Sequence, residues 1–246
     1  MRVAAVVVSH GHPRELAASL PALREQVDEL VVIANVPGSV PAGIEAVQNE
    51  RPLGYGANVN RGAARTTAEL IVCANPDARP LPGAVAALRD FMETHERCGI
   101  AGPRMEFPDG EWQPSRRRFP TVTGTLVRRT PLRLAVPQRR HFHLDESPPT
   151  EPVPADWMLG GFLMLRRAML DELGGFDEGF RLYGEDIDLA YRAAVAGWER
   201  WYVPQAVVRH EHKAETDHRW LTRRTLWHWA GVLRFVRKHP ERLRAL

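Results

Sequence analysis

The first 34 residues restrict the fold more than any other stretch of the chain. Arg2 to Val8 is a short apolar run without polar alternation, as expected of a strand buried on both faces. Ser9-His10-Gly11-His12-Pro13 ends it with loop chemistry. Arg14 to Gln26 then sets Leu16, Leu20 and Leu23 at helical spacing, with Pro21 a candidate kink, and Leu30 to Ala34 reads as a second buried strand. Strand, crossover helix and strand form a βαβ unit. Such a start biases the chain towards an open, mostly parallel sheet that binds ligands at the carboxyl ends of its strands.

Later segments continue the alternation. Glu69 to Ala74 is an apolar strand that delivers Asn75-Pro76-Asp77 to the same sheet edge. Pro82 to Glu96 reads as a helix and Gly99 to Gly102 as a strand. Phe107 to Trp112 reads as a hairpin turn in which Asp109-Gly110 supplies positive φ angles. There the alternation stops. Asp145 to Pro154 is a polar, proline-rich connection, and Met169, Leu170 and Leu173 close a short helix that Gly174 stops. After Gly184, the residues Ile187, Ala190, Tyr191, Ala194 and Val195 recur at helical spacing. Asp186 therefore falls in a first helical turn, where unpaired N–H groups and the helix dipole favour a carboxylate. Gly197 ends that helix, and the extended segments at Trp201–Val203 and Val207–Val208 carry His210 back towards it.

Composition narrows the classes. A 44% hydrophobic and 26% charged chain of 246 residues is that of a soluble globular protein with room for one large α/β domain or two small ones. Cys73 and Cys98 suit free thiols in a reducing, cytoplasmic compartment better than a disulfide framework. The six apolar residues before Ser9 are too few for a signal-peptide core, and no run reaches the ~18 residues of a spanning helix. The net charge of +3 is uneven: from Arg219 onward eight Arg or Lys face Glu241 alone, so nucleic-acid binding by the whole fold is not implied. Arg219 to Lys238 projects as an amphipathic helix with Leu221, Trp229, Val232, Leu233, Phe235 and Val236 on one side and Arg219, Arg223, Arg234, Arg237 and Lys238 on the other. Either an anionic headgroup layer or packing on the domain or on a second subunit of a homodimer accounts for it.

Gly174-Gly175-Phe176-Asp177-Glu178, Glu185-Asp186, Ala196-Gly197-Trp198 and Pro204…His210 occur in one fixed order. That order resembles the C-terminal half of family 2 glycosyltransferases, particularly the rhamnosyltransferase branch, and the likeness extends over roughly Val3 to His212. It implies a GT-A fold across residues 1–213, with a nucleotide-sugar half at 1–103, an acceptor and catalytic half at 104–213 and a basic helical tail at 214–246.

The resemblance also assigns roles. On the donor side it implicates the first strand end at Ser9, Arg51 near a phosphate, and Asn35 beside the base, although a turn residue with no ligand equally accounts for Asn35. It further implicates Gly54 and Asn60 of the Gly54-Tyr55-Gly56…Asn60 segment near the nucleotide sugar, although simple turn geometry also accounts for the glycines. Asn75-Pro76-Asp77, alone a commonplace turn, resembles the family's DXD variant. There Asp77 would bind Mg²⁺ or Mn²⁺ with diphosphate oxygens, and His210, or its rival His212, would add a further metal ligand. Asp156 and Trp157 would meet the acceptor, while Gly160 and Gly161 line the sugar sites.

Asp186 is the implied general base, with Glu185 orienting it or touching the acceptor. The implied reaction is inverting, metal-assisted transfer of a sugar from a nucleotide-diphosphate donor, dTDP-rhamnose preferred, to a glycan or polyprenyl-linked acceptor. Such an acceptor places the enzyme in the cytoplasm at the inner face of the plasma membrane. Eight arginines between Arg116 and His143, without one acid, are either a solvated loop or a clamp for an anionic acceptor. A non-catalytic nucleotide-sugar or glycan-binding domain is the competing class, disfavoured because binding alone needs no base.

Overall fold

The computed structural model describes residues 1–120, 145, 147–211 and 223–243. At its centre is β1 (Val3–Ser9), buried at every position. It lies between β2 (Glu29–Ala34) and β4 (Leu70–Ala74), parallel to both, and β2 pairs in parallel with the short β3 (Val47–Gln48). A strand covered on both faces has no solvent side, which is why its sequence shows no alternation. Its side chains instead divide between two cores. Val3, Ala5 and Val7 join Leu16, Leu20 and Leu23 of α1 (Pro13–Arg24) and Leu88 and Met92 of α3 (Ala84–Thr94). Ala4, Val6 and Val8 join Val59 and Ala63 of α2 (Tyr55–Ala63), Met169 of α4 (Arg167–Leu173) and Leu189 and Ala193 of α5 (Glu185–Val195). α1 runs on through Pro21 to Arg24.

Beyond β4 the parallel pattern breaks. The sheet runs β3-β2-β1-β4-β11-β6-β12-β5, with β5 at Ala78–Pro80, β6 at Cys98–Glu106, β11 at Phe162–Arg166 and β12 at Glu199–His210. β11 is antiparallel to both β4 and β6, β12 is parallel to β6, and β5 closes the edge antiparallel to β12. The sheet is thus parallel through its nucleotide-side strands β3, β2, β1 and β4 and mixed on the acceptor side, as expected of a GT-A sheet with a smaller mixed part. Strands from late in the sequence are inserted among early ones, because β11 fills the gap between β4 and β6. β7 (Trp112–Gln113) pairs with β6 and β9 (Val153–Pro154) with β12, while β8 (Arg116–Arg117) and β10 (Trp157–Met158) form a separate pair. The β6–β7 turn differs from the one anticipated: Gly110 donates to Phe107 O, and Gly110 alone has a positive φ, 88°. It is a four-residue turn needing one left-handed residue rather than two.

β12 is irregular where it must be. Its register against β6 shifts between Val203 and Val207, across Pro204, which has no N–H to give to the ladder. Past the shift, Val208–His210 pairs with β5, so His210 stands opposite Ala78 and beside Asp77.

The tail forms α6 (Arg223–Lys238) and a 3₁₀ turn at Pro240–Leu243. It packs on the domain, and its basic side does not simply face solvent. Arg234 forks onto Asp177 at 2.7 and 3.2 Å, Lys238 bridges Asp177 and Asp188 at 2.8 and 2.9 Å, and Phe235 is buried. Trp229 and Leu233 stay 40% and 51% exposed on the opposite side. Leu221 and Arg219 of the anticipated helix lie outside the described residues, as do residues 121–144 of the arginine-rich segment and His212. No helix among the described residues is long and apolar enough to cross a membrane.

Phe162 is fully buried where β11 enters the sheet. Its replacement by Ala should lower the unfolding free energy by about 3–5 kcal/mol in urea titrations, whereas Val195→Ala at a 73% exposed position should change it by less than about 0.5 kcal/mol.

Candidate active site

The ladder that inserts β11 also builds the site. Phe162 pairs with Ala74, and the Asn75 N–H donates to Gly161 O at 2.9 Å, so Gly160-Gly161 lies alongside Asn75-Pro76-Asp77. His210 arrives from β12 and is buried. Its Nε2 is 3.4 Å from Asp77 Oδ1 and 3.2 Å from Asn75 Nδ2, while its Nδ1 is 3.3 Å from Gln113 Oε1. Asn75 as donor and Gln113 as acceptor select the same tautomer: proton on Nδ1, lone pair on Nε2. That lone pair, which accepts from Asn75, also lies 3.4 Å from an Asp77 carboxylate oxygen, so a cation beside the two would meet both. Among the described residues no group of three or more His, Cys, Asp or Glu is arranged to hold a metal. A cation here would take two protein ligands, as hard divalent ions often do when phosphates and water supply the rest. Gln113 was not foreseen from sequence. Only the β6–β7 hairpin, Met105 opposite Gln113, brings it here.

On the other side of the two glycines stands Asp186, in the first turn of α5. Its Oδ2 accepts from the Gly160 N–H at 3.3 Å and its Oδ1 from the Ile187 N–H at 2.9 Å. The glycines act as a thin wall. A Cβ on Gly160 would sit 3.4 Å from Asp186 Oδ2, and one on Gly161 3.1 Å from His210 Nε2. A Cβ on Gly160 would just touch the Asp186 carboxylate, whereas one on Gly161 would press on the imidazole. Tyr55 of α2 fastens the wall from behind, donating its hydroxyl to Gly160 O at 3.1 Å.

Glu185 is buried next to Asp186, and its Oε2 has no hydrogen-bond partner among the described residues. Burial raises both carboxyl pKa values. Backbone N–H bonds from Ile187 and Gly160 restrain Asp186, whereas repulsion from Asp186 pushes Glu185 further, up to about 8. Burial and the neighbouring Asp186 thus favour the neutral form of Glu185 well above the ordinary carboxylate range. Burial also pushes the Cys73 thiol, close by on β4, up to about 12.

Several donor-side assignments meet a different arrangement. Ser9 is fully buried, and its hydroxyl donates to Ser39 O at 2.5 Å. Asn35 spends its whole amide inside the protein. Its Oδ1 accepts from Asn49 and the Leu53 N–H, both at 2.8 Å, and its Nδ2 reaches His10 Nδ1 at 2.9 Å and Leu53 O at 3.0 Å. Asn49 continues to the buried Asn58 at 2.6 Å, which in turn holds Gly54 O. Through these bonds Asn35 fixes the loop that carries the exposed Arg51.

Gly54 and Asn60 serve the catalytic loop. A Cβ on Gly54 would strike Phe180 O, and one on Gly56 would lie 2.7 Å from the Phe176 side chain. Asn60 bonds both the N–H and the carbonyl of Phe176, at 2.9 Å each. Asp156 accepts from the Phe119 N–H at 2.8 Å and Trp157 donates to Arg118 O at 2.7 Å, so both anchor the chain where it leaves for residues 121–144. Asn75, Asp77, Gly160, Gly161, Glu185, Asp186 and His210 come together; Ser9, Asn35 and Asn60 support from elsewhere.

The parallel half of the sheet thus adjoins a mixed half, and a helix-borne carboxylate and an Asp–His pair meet at the seam. The solved structure of GalNAc-T7 with UDP, GalNAc and Mn²⁺ superposes with a TM-score of 0.69 at 16% identity, over 96% of this chain and 48% of that one. A mannosyltransferase from Pyrobaculum calidifontis, solved with GDP-Man and Mn²⁺, gives 0.61 at 18% identity, over 95% of this chain and 64% of that one. The chain thus spans about half to two thirds of these structural neighbours.

The family model described as "Glycosyl transferase family group 2" matches residues 70–245. N-acetylglucosaminyl-diphospho-decaprenol L-rhamnosyltransferase of Mycobacterium tuberculosis is 34% identical over 245 aligned residues, 88% of this chain and 77% of that protein. Rhamnosyltransferase WbbL of Escherichia coli is 34% identical over 82 residues, 33% of this chain and 30% of that protein. The chain belongs to glycosyltransferase family 2 and is a sugar-transferring enzyme.

The raised Glu185 sets a pH-dependent cost. Between its ordinary value of 4.5 and about 8, the folded state holds a proton that the unfolded chain releases, so this contribution to stability falls as pH rises and is fully lost above 8. Glu185→Gln removes the titration. Urea unfolding should therefore show the variant gaining on the parent between about pH 5 and pH 8.5, by on the order of 2 kcal/mol.

Proposed function

We propose that the enzyme transfers a sugar, with inversion, from a nucleotide-diphosphate donor to a hydroxyl of a lipid-linked glycan. dTDP-rhamnose is the preferred donor and a polyprenyl-diphosphate-linked N-acetylglucosamine the acceptor. One observation carries the reading: Asp186 and the Asp77–His210 pair flank the same two glycines within van der Waals reach of their backbone. The names of the mycobacterial and E. coli relatives support the choice of sugar, and the mycobacterial one that of the acceptor.

In this mechanism the acceptor hydroxyl gives its proton to Asp186 as its oxygen bonds to the anomeric carbon. The bond from that carbon to the diphosphate oxygen breaks, and its electron pair leaves with the nucleoside diphosphate. Asp186 must be ionised to act, and the Gly160 and Ile187 N–H groups hold it in that form against its burial. The favoured neutral form of Glu185 adds no second negative charge.

Asp77 and His210 would hold Mg²⁺ or Mn²⁺, with Gln113 keeping the imidazole lone pair outward. That lone pair, 3.4 Å from an Asp77 oxygen, supports this fit. When bound, such a cation neutralises charge on the departing diphosphate. The acceptor's anchor places the enzyme at the inner face of the plasma membrane.

Asp186→Asn should lower transfer by at least about 10³-fold while dTDP binding changes less than about threefold in calorimetry; near-normal turnover would remove the base assignment. The rate should rise with pH along one acidic limb set by the raised Asp186, and its midpoint should lie above the ordinary carboxylate range. His210→Ala should weaken Mn²⁺ binding in the presence of dTDP by about 10–100-fold by electron paramagnetic resonance. A panel of dTDP-rhamnose, UDP-N-acetylglucosamine, UDP-galactofuranose and GDP-mannose, each with and without acceptor, identifies the donor. Binding without turnover of any of them would instead favour a non-catalytic module.

A further inference from the structure

The turn that presents Asp186 is strained backbone. α5 begins at Gly184, with φ 96° and no side-chain cap. The preceding Tyr183 has φ 67°, the only positive value at a non-glycine among the described residues. A left-handed tyrosine costs about 1–2 kcal/mol and persists only where its surroundings impose it.

α6 imposes it. The backbone of Gly231 lies so close that a Cβ there would fall 2.5 Å from Tyr183 O and 3.8 Å from the Phe180 ring. On the flanks Arg181 stacks its guanidinium 4.8 Å over Trp227, and Arg234 and Lys238 hold Asp177. Farther along, Lys238 and His239 bond Asp188 at 2.9 and 2.8 Å. Asp188 is fully buried on α5, two residues after Asp186. Helix α6 therefore grips the catalytic helix on both sides of the base: at the turn before it and at the carboxylate just after it.

A glycine inside a helix is costly, by about 0.5–1 kcal/mol relative to alanine. At Gly231 the missing Cβ is what allows the approach. We propose that α6 is a strut for the catalytic turn and that Gly231 is a positioning residue: it lets the helix seat against Tyr183 and so fixes the reach of Asp186. The proposal rests on Asp186 being the base. The donor side stands on other elements, Asp77 after β4, Gln113 on β7 and His210 on β12, and none of the α6 contacts named above falls on them. The strut should therefore govern turnover and leave donor binding alone.

The test uses the full chain, with rhamnosyl transfer from dTDP-rhamnose to a polyprenyl-diphosphate N-acetylglucosamine as readout. Gly231→Ala should lower kcat about 10–100-fold, as expected for a base displaced by roughly 1 Å, with KM for dTDP-rhamnose within about twofold. Amide exchange in the segment 183–188 should quicken in the same variant. Lys238→Met, which loosens the second grip but leaves Arg192 on Asp188 at 2.7 Å, should lower kcat by a smaller factor. Leu233→Ala, on the outer side of α6, should keep the parent kcat. A merely covering helix predicts an unchanged kcat for Gly231→Ala, with the clash against Tyr183 O lowering only the melting temperature. Parent-level kcat in both Gly231→Ala and Lys238→Met, with Asp186→Asn inactive, overturns the strut and leaves the base in place. An active Asp186→Asn overturns the base and the strut with it.

Discussion

Two peptide units, those of Gly160 and Gly161, hold the two chemical halves of the enzyme at working distance. One N–H steadies Asp186, one carbonyl takes the Tyr55 hydroxyl, and the other carbonyl takes the Asn75 N–H at the end of β4. Backbone is the right material for such a joint, because a side chain on either residue would meet Asp186 or His210. The position of the joint is set by strand pairing. β11 is antiparallel to β4, so the residues just before β11 must lie beside those just after β4. Moving that register by one residue would turn every β11 side chain to the opposite core and separate Asp186 from the Asp–His pair.

α2 is the second support. Its first turn, Gly54-Tyr55-Gly56, looks like a ligand-binding glycine loop, yet its glycines admit Phe180 and Phe176 from the loop leading to Asp186, and Asn60 binds Phe176 through two hydrogen bonds. The buried chain Asn35–Asn49–Asn58 holds the entry to the same helix. Buried amides are tolerable only when nearly every donor and acceptor is matched, and these three largely are. One helix thereby couples the nucleotide half of the sheet to the catalytic loop, so damage at either end should be felt at the other.

Electrostatics completes the third support. Asp188 is fully buried but faces Arg192, Lys238 and His239, and Asp177 faces Arg234 and Lys238. Burial opposes the ionisation of Asp177, but its two cationic partners outweigh it and hold the carboxyl well below the usual range. Carboxylates of this kind stabilise only while their partners stay in place, since removing one leaves a poorly solvated charge. The basic tail is thus bound into the catalytic body, and its remaining apolar surface at Trp229 and Leu233 points outward.

Periodicity and punctuation in the sequence determined the strands β1, β2 and β4, the helix that begins at Glu185 and the stop at Gly197, because these depend on burial patterns and φ preferences local to each segment. The chemistry of Asp77, Asp186 and His210 was legible too, since carboxylates and an imidazole placed at strand ends and helix starts imply proton and cation work. Only the tertiary structure decided what those residues face. The insertion of β11 beside β4, the bulge at Pro204 and the arrival of Gln113 behind His210 depend on pairings between residues 88 to 135 positions apart, and the burial of Asn35 depends on His10, Asn49 and Leu53 across turns that no local preference fixes. A side chain's type sets which bonds it can make; whether it spends them on a ligand or on its own fold is settled by which neighbours the folded chain brings within 3 Å.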